Sequence, residues 1–476
     1  MPEVPEEVQE ELERIKEDMQ FYAEIKKIRN SFCVYKGTSI WDKKQKKNVK
    51  ITEYLGVIKP DGEFIPKRTR KKIKESSHEI FEYGNCSLAN EYLADVKGIL
   101  KDLTPYYREL IASAIIKVIS PKPMRLYSSQ WDKFYLSKKM NVHLSPKTIS
   151  SILADIGRDI TIWKQLFSQI TPEDDFLLYD LSAVFTYSRN LNLAEKSYNA
   201  HHEYLDQIGI VMAFSTSDTE PVGIEVFFGS IKDITTFYDF KERYPQSNIG
   251  FIFDRGFTSY DLIEEFREND IHYIIPLKKN SRYIDQRWLR WRKAFQYRKR
   301  PVRWGRKECE LGYIYYFEDP KIRGEEEATL LKQVESGKLT MTEFDKIKKD
   351  VGIISIISDL DKDGVEIFNQ YKGREDVELA FDVMKHPLES DKTYLQTPEA
   401  IRGYFLITFL AMRVFFKVLK RLREKKLTHK ISVKEVFFEL SKVQMISEQT
   451  GKEYFAKFPK QSRKILDLYP EALPMG

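Results

Sequence analysis

Cysteine is scarce in this chain, and the little there is does not cluster. Cys33, Cys86 and Cys309 stand far apart, with no C-x-x-C pair and no histidine at zinc-ligand spacing. Neither a disulfide scaffold nor a structural zinc site is expected, and the usage suits a reducing compartment. Long apolar runs are missing too. The most apolar stretch, 403–412, ends at Arg413 and is too short to span a bilayer. The N-terminal segment is acidic and helical in pattern, the opposite of a secretory leader. Together these absences predict a soluble, cytoplasmic protein with no membrane partner.

What is present is length and unevenly spread charge. A chain of 476 residues exceeds one compact core, so three or four units are expected. The net charge is only +6, but the basic residues gather in runs, as in proteins that bind polyanions. Lys67–Lys74 holds six bases and two neutral residues. Arg282–Lys307 holds eleven bases against one acid, Asp285, together with Trp288, Trp291 and Trp304. An excess of that size is expected to face a polyanion. Each tryptophan also has a plain reading, as an anchor for local packing.

Periodicity gives the layout. Residues 3–30 read as a charged helix. From Phe32 to Phe64 the pattern becomes short strands with turn residues at Lys36-Gly37 and Pro60-Asp61-Gly62. Residues 86–170 are helical. The best-marked helix has Ser145 as N-cap, Pro146 in its first turn and Gly157 as its end, with an apolar face of Ile149, Ile152, Leu153 and Ile156. Its other face, Lys147, Thr148, Ser150 and Ser151, suits either a bundle surface or a DNA groove. Next come a strand ending at Asp180, strands Ile208–Phe214 and Val222–Phe228, a helix near Thr235–Arg243 and a strand Ile249–Phe253. A helix Tyr260–Glu268 and a strand Ile271–Leu277 follow. Three consecutive strands and then alternating helix and strand predict an α/β fold with a mixed sheet. That order is the one found in ribonuclease-H-like folds. The alternation breaks after residue 280 and returns at Val351–Ser358, which predicts an insertion.

Asp180 and Asp254 each follow a run of buried-type residues. A lone acid there is commonly a turn or cap residue. Two on strands of one sheet are more telling, because paired carboxylates raise the cost of ionising both. Divalent cations relieve that cost, and oxygen ligands favour Mg²⁺ or Mn²⁺ over zinc. A third acid is expected on the segment Tyr371–Lys385. At about 100° per residue, Arg374, Glu378 and Lys385 share one helical face with Tyr371 nearby. Taken alone, that stripe could be an exposed face with an i,i+4 Arg–Glu pair.

The spacing Tyr371-x2-Arg374-x3-Glu378-x6-Lys385 resembles the Y-R-E-K branch of the DDE transposases of prokaryotic insertion sequences (the insertion-sequence-four type). Asp254-Arg-Gly-Phe-Thr-Ser259 resembles the D-x-G-[FY]-x-S motif of the same branch, and the strand ending at Asp180 resembles its first-acid strand. The intervals of 74 and 124 residues between the acids suit a branch with a β-rich insertion after the second acid. Leu181-Ser182 departs from the threonine that relatives often carry near the first acid.

The resemblance implies that Asp180, Asp254 and Glu378 hold two divalent metal ions, Mg²⁺ with Mn²⁺ possible, and catalyse cleavage and transfer of DNA strands. It implies that Tyr371, Arg374 and Lys385 grip phosphates of the transposon end. It also implies that an aromatic of the insertion, Trp288, Trp291 or Trp304, stacks on a flipped base. The implied partners are double-stranded DNA, both the terminal inverted repeats and the target, and a second copy of the chain as a homodimer. The implied setting is a prokaryotic cytoplasm, at the nucleoid when DNA-bound.

The layout expected from both lines is a charged N-terminal helix at 1–31, then a β-rich module with its basic linker at 32–75. A helical DNA-end-binding region at 76–172 precedes a ribonuclease-H-like catalytic domain at 173–280 and 351–400. A β-rich basic insertion at 281–350 interrupts that domain, and C-terminal helices at 401–476 offer a dimerisation surface. A different ribonuclease-H-like nuclease, or a domesticated DNA-binding protein without catalysis, remains the alternative. A glycosidase, the other user of paired carboxylates, would have no use for a basic, tryptophan-bearing insertion.

Overall fold

The computed structural model describes all residues except 1–3, 20–21, 29–30, 43–45, 68–77, 189–190, 192–193, 199–203, 229–233, 244–248, 258, 285–288 and 475–476. The chain divides into two compact units, Met1–Ser77 and His78–Gly476. Among the described residues no helix is long and apolar enough to cross a membrane.

The first unit is a helix, Glu6–Met19, with a four-stranded antiparallel sheet of Ala23–Ile28, Ser31–Asp42, Lys47–Ile58 and Phe64–Pro66. Val8 and Ile15 of the helix pack with Phe32, Val34 and Ile58. The helix expected to reach residue 30 stops at Met19, because Ala23–Ile28 pairs with Ser31–Lys36 instead. Strand pairing here overrides the local helical pattern. Gly62 takes a positive φ of 86° in the predicted Pro60-Asp61-Gly62 turn, a conformation that costs glycine little. Most of the basic run Lys67–Lys74 lies outside the described residues.

The second unit opens on a short strand, His78–Glu82, followed by helices that include Gly84–Tyr92, Ala94–Leu103, Tyr107–Ile119, Pro146–Arg158 and Ile160–Ile170. Ser145 caps the fourth of these, accepting a hydrogen bond from the Thr148 N–H at 3.2 Å, with Pro146 at the first helical position. Ile149, Ile152, Leu153 and Ile156 are buried. Gly157 does not end this helix, which continues to Arg158. Its role is packing. A Cβ on Gly157 would fall 1.7 Å from the Glu399 carbonyl, and one on Gly403 would fall 2.2 Å from the Leu153 carbonyl. The two glycines let this helix cross the long helix Pro398–Glu424 with backbones touching.

The unit also holds an eleven-stranded mixed sheet, packed at its Glu220–Phe228 strand against helix Pro398–Glu424. Its spatial order runs Glu220–Phe228, Tyr204–Ser215, Phe176–Thr186, Gly250–Ile252, Tyr273–Pro276, Ile353–Ser358, Gly312–Glu318, Arg300–Cys309 and Trp291–Tyr297. The strands around the first acid are antiparallel to Tyr204–Ser215 but parallel to Gly250–Ile252, which is itself parallel to Tyr273–Pro276. Two short strands, Glu195–Tyr198 and Lys392–Thr393, complete it. The segment after residue 280 does not fold apart. Its three strands continue the same sheet through Ile353–Ser358, a strand buried along its whole length. The charged stretch before that strand forms two helices, Pro320–Glu335 and Met341–Ile347, with Gly337 between them at φ 71°.

Candidate active site

Asp180 sits inside its strand, not at the end of it. The strand runs on to Thr186 because Leu181–Phe185 pair with Gln207–Val211, while Phe185 and Thr186 pair with Lys392 and Thr393. Asp254 lies two residues beyond Gly250–Ile252. The parallel register Gly250↔Phe176, Phe251↔Leu177, Ile252↔Leu178, carried two residues further, sets Asp254 level with Asp180. One strand spacing is about 4.8 Å.

The segment carrying Glu378 is two helices, Gly364–Lys372 and Arg374–Lys385, parted at Gly373. Tyr371 therefore belongs to the preceding helix, where its side chain is buried with the Arg374 guanidinium 5.9 Å from its ring. The second helix packs along the first-acid strand. Arg374, its first residue, forms ion pairs with both Asp254 and Glu378. Seven residues past Glu378, the Lys385 ammonium donates to Ser182 Oγ at 2.7 Å. Ser182 is two residues past Asp180, hence on the same face of the strand. The helix thus lays Arg374, Glu378 and Lys385 across the two aspartates.

The electrostatics follow from this crowding. Burial pushes the Asp180 carboxyl up to about 6. The Leu181 N–H and Arg374 pull it down, while Asp254 and Glu378 push it further up. Burial also lowers the Lys385 ammonium, against the opposing pull of Asp391, Asp180 and Asp382. Arg374 stands where a cation is needed and is held as a guanidinium by Tyr371, Asp254 and Glu378. As the side chains stand, no three His, Cys, Asp or Glu among the described residues group closely enough to hold a metal ion. The donor set is nonetheless three carboxylates that feel one another's charge, with Arg374 paired to two of them. That chemistry fits a hard divalent cation.

The tryptophans separate. Trp304 is 2% exposed, its indole so close to Gly364 that a Cβ there would fall 2.2 Å from the ring. It is a core residue and is not available to stack on a base. Trp291 is partly exposed with the Arg303 guanidinium 4.4 Å over its ring. Trp288 lies outside the described residues.

The charge of the insertion also needs correcting. The bases of the run 282–307 are partly neutralised by acids outside that run: Lys293 by Asp363, Arg298 by Glu375, Arg300 by Asp319, Arg303 by Glu318 and Arg306 by Asp361. The hairpin Trp291–Cys309 turns at Arg298-Lys299, both with positive φ (48° and 67°) and both exposed. Tyr297 and Arg298 bond to Glu375, so this basic tip meets the first turn of the Glu378 helix.

Ser182 and the Arg298-Lys299 tip are site residues that sequence reasoning missed. The first was signalled by its i+2 spacing from Asp180. The second had no sequence signal, since neither residue favours positive φ.

Residues 180–413 match the family model described as the transposase DDE domain, a span that opens on Asp180 and encloses Asp254 and Glu378. That match supports the activity of a DNA transposase. No curated protein matches it. Among solved structures it is similar to the piggyBac transposase synaptic complex with hairpin DNA. The identity is 14%, over 86% of this chain and 80% of that one, with a TM-score of 0.37.

Proposed function

We propose that this transposase cleaves and joins the DNA strands of an insertion sequence with Asp180, Asp254 and Glu378, in the manner of the prokaryotic Y-R-E-K branch. The observation that carries the reading is that Arg374 pairs with both Asp254 and Glu378, while the parallel strand register sets Asp180 level with Asp254. The strand order, three antiparallel strands joined to two parallel ones, supports a ribonuclease-H-like catalytic core.

The three carboxylates would hold two divalent ions, Mg²⁺ or Mn²⁺. When bound, such ions activate the attacking oxygen and stabilise the leaving oxygen of a displacement at phosphorus.

The chain's own residues supply the rest. Arg374 compensates the clustered acids in the free protein, and its planar fork suits a phosphate once they are otherwise neutralised. Lys385, anchored on Ser182, offers a second cation beside the same strand. Tyr371, largely buried behind Arg374, sets its ring against the guanidinium. The Arg298-Lys299 tip sets further positive charge beside the Glu378 helix, and Trp291 is the aromatic left to meet an unstacked base. The partners are terminal inverted repeats, target DNA and a second copy of the chain.

The reading is tested by incubating the protein and Mg²⁺ with duplex DNA bearing the inverted repeats that flank the gene. It is supported by strand nicking at the repeat ends and by joined products. Nicking without joining would favour a nuclease instead.

A further inference from the structure

Away from the acids, a cavity of about 580 Å³ opens between helix Pro146–Arg158, the loop Pro121–Arg125 and the segment Leu388–Leu395. That is the size range of small-ligand sites. Most of its wall is apolar, but Lys117 lines it and is only 4% exposed. The Lys117 ammonium donates to the Tyr404 hydroxyl at 2.8 Å and lies 4.4 Å over the Tyr404 ring. Tyr404 is in turn bonded to Ser390 Oγ at 3.0 Å. The hydroxyl takes one of the ammonium's three donors and the ring offers a π-face, but neither carries a counter-charge. Among the described residues no carboxylate comes within ion-pair distance of it, although Glu389 and Asp391 line the same cavity. Burying a cation without a counter-charge is costly. Lys122, Arg125 and Lys392 add exposed positive charge at the rim.

At the same rim stands an aromatic platform. Tyr187 and Tyr394 are 61% and 65% exposed, yet they stack on each other with ring centroids 5.2 Å apart and planes 13° off parallel. Two large rings held flat in solvent beside clustered cations match the combination that binds unpaired nucleotides: π-faces for bases and positive charge for phosphates. The place fits as well. Lys392 and Thr393 pair with Phe185 and Thr186 of the strand that carries Asp180. Five residues of strand span about 17 Å, the rise of about five base pairs of B-DNA.

We propose that this cavity binds an unpaired nucleotide of the DNA substrate, its phosphate against Lys117, Lys122 and Arg125 and its base on the Tyr187–Tyr394 stack. The assignment rests on the transposase reading for its substrate and lies outside the three-acid site.

The test measures binding of a labelled single-stranded oligonucleotide and of a blunt duplex to the full chain across a series of salt concentrations. Tyr394→Ala should weaken single-strand binding roughly five- to 150-fold, the worth of one stacked base. Lys117→Met, which keeps the volume and removes the charge, should lower the log–log salt slope for single strands by about 0.7. Lys122→Glu with Arg125→Glu, both on the exposed rim, gives the same reading should Lys117→Met fail to fold. Blunt-duplex binding should change by less than about twofold, a difference under about 0.4 kcal/mol. Folded Tyr394→Ala and rim variants that bind the single strand like the parent overturn the site, and so does an equal loss for both DNAs. Nicking of duplex ends by the parent protein, measured in the same preparation, tests the transposase reading separately.

Discussion

Replacing Asp180 with Asn should stabilise the metal-free protein. Burial lifts this carboxyl from 3.8 to about 6, so at neutral pH the folded chain holds a charge in a place that disfavours it. A folded-state pKa above the unfolded one means the folded form binds the proton more tightly. Stability is then lost as pH rises from about 4 to about 6, and the cost is constant above that. A shift of roughly two units corresponds to about 3 kcal/mol at pH 7 and to about half that at pH 5.

Asp180→Asn removes the charge and keeps an oxygen able to accept from the Leu181 N–H. Urea unfolding in EDTA at pH 7 should show the variant more stable by up to about 3 kcal/mol, with the gap narrowing at pH 5. Adding Mg²⁺ should stabilise the parent more than the variant, because a bound cation compensates the charge that burial penalises. A variant less stable than the parent at pH 7, or a gap that widens on acidification, would refute the reasoning. Equal stabilisation of both proteins by Mg²⁺ would remove Asp180 from the metal set.

Further expectations follow from the same geometry. Arg374→Ala and Lys385→Ala should each lower the salt slope of binding to repeat-end DNA by about one unit; titrations across salt concentration check this, and unchanged slopes would leave both residues with only structural roles. Trp291→Ala should slow joining more than nicking by roughly 1–3 kcal/mol, whereas Trp304→Ala should cost about 3–5 kcal/mol of folding stability; kinetic assays and denaturation separate the two. Gly157→Ala should lower the unfolding free energy by about 1–3 kcal/mol through its clash with Glu399, despite alanine's better helix propensity. A more stable Gly157→Ala protein would contradict the close helix crossing.

Much of the catalytic core was legible because its signals are local. Apolar runs ending near Asp180 and Asp254 marked strands, and the Tyr371–Lys385 spacing marked the helix that meets them. What escaped depends on partners distant in sequence. Leu181–Thr186 is only moderately apolar, and it becomes strand because the strand Tyr204–Ser215 and residues Lys392–Thr393 pair with it. The helical pattern runs unbroken through Gly373, where the structure divides it and buries Tyr371. The insertion looked uncompensated because Asp319, Asp361, Asp363 and Glu375 all lie outside the window that holds its bases. Trp304 looked like its neighbours, yet strand pairing places it against Gly364. Ala23–Ile28 read as helix until its hairpin partner is considered. The cavity around Lys117 joins segments nearly 290 residues apart, and no local pattern announces it.

The central claim is that Asp180, Asp254 and Glu378 act together on DNA. The most direct measurement is Mg²⁺-dependent nicking of duplex repeat-end DNA by the parent and by Asp180→Asn, Asp254→Asn and Glu378→Gln, with end binding measured in parallel. All three variants should bind the ends and nick at the level of a reaction lacking metal. Near-parental nicking by any one of them would remove that residue from the site and break the three-acid assignment.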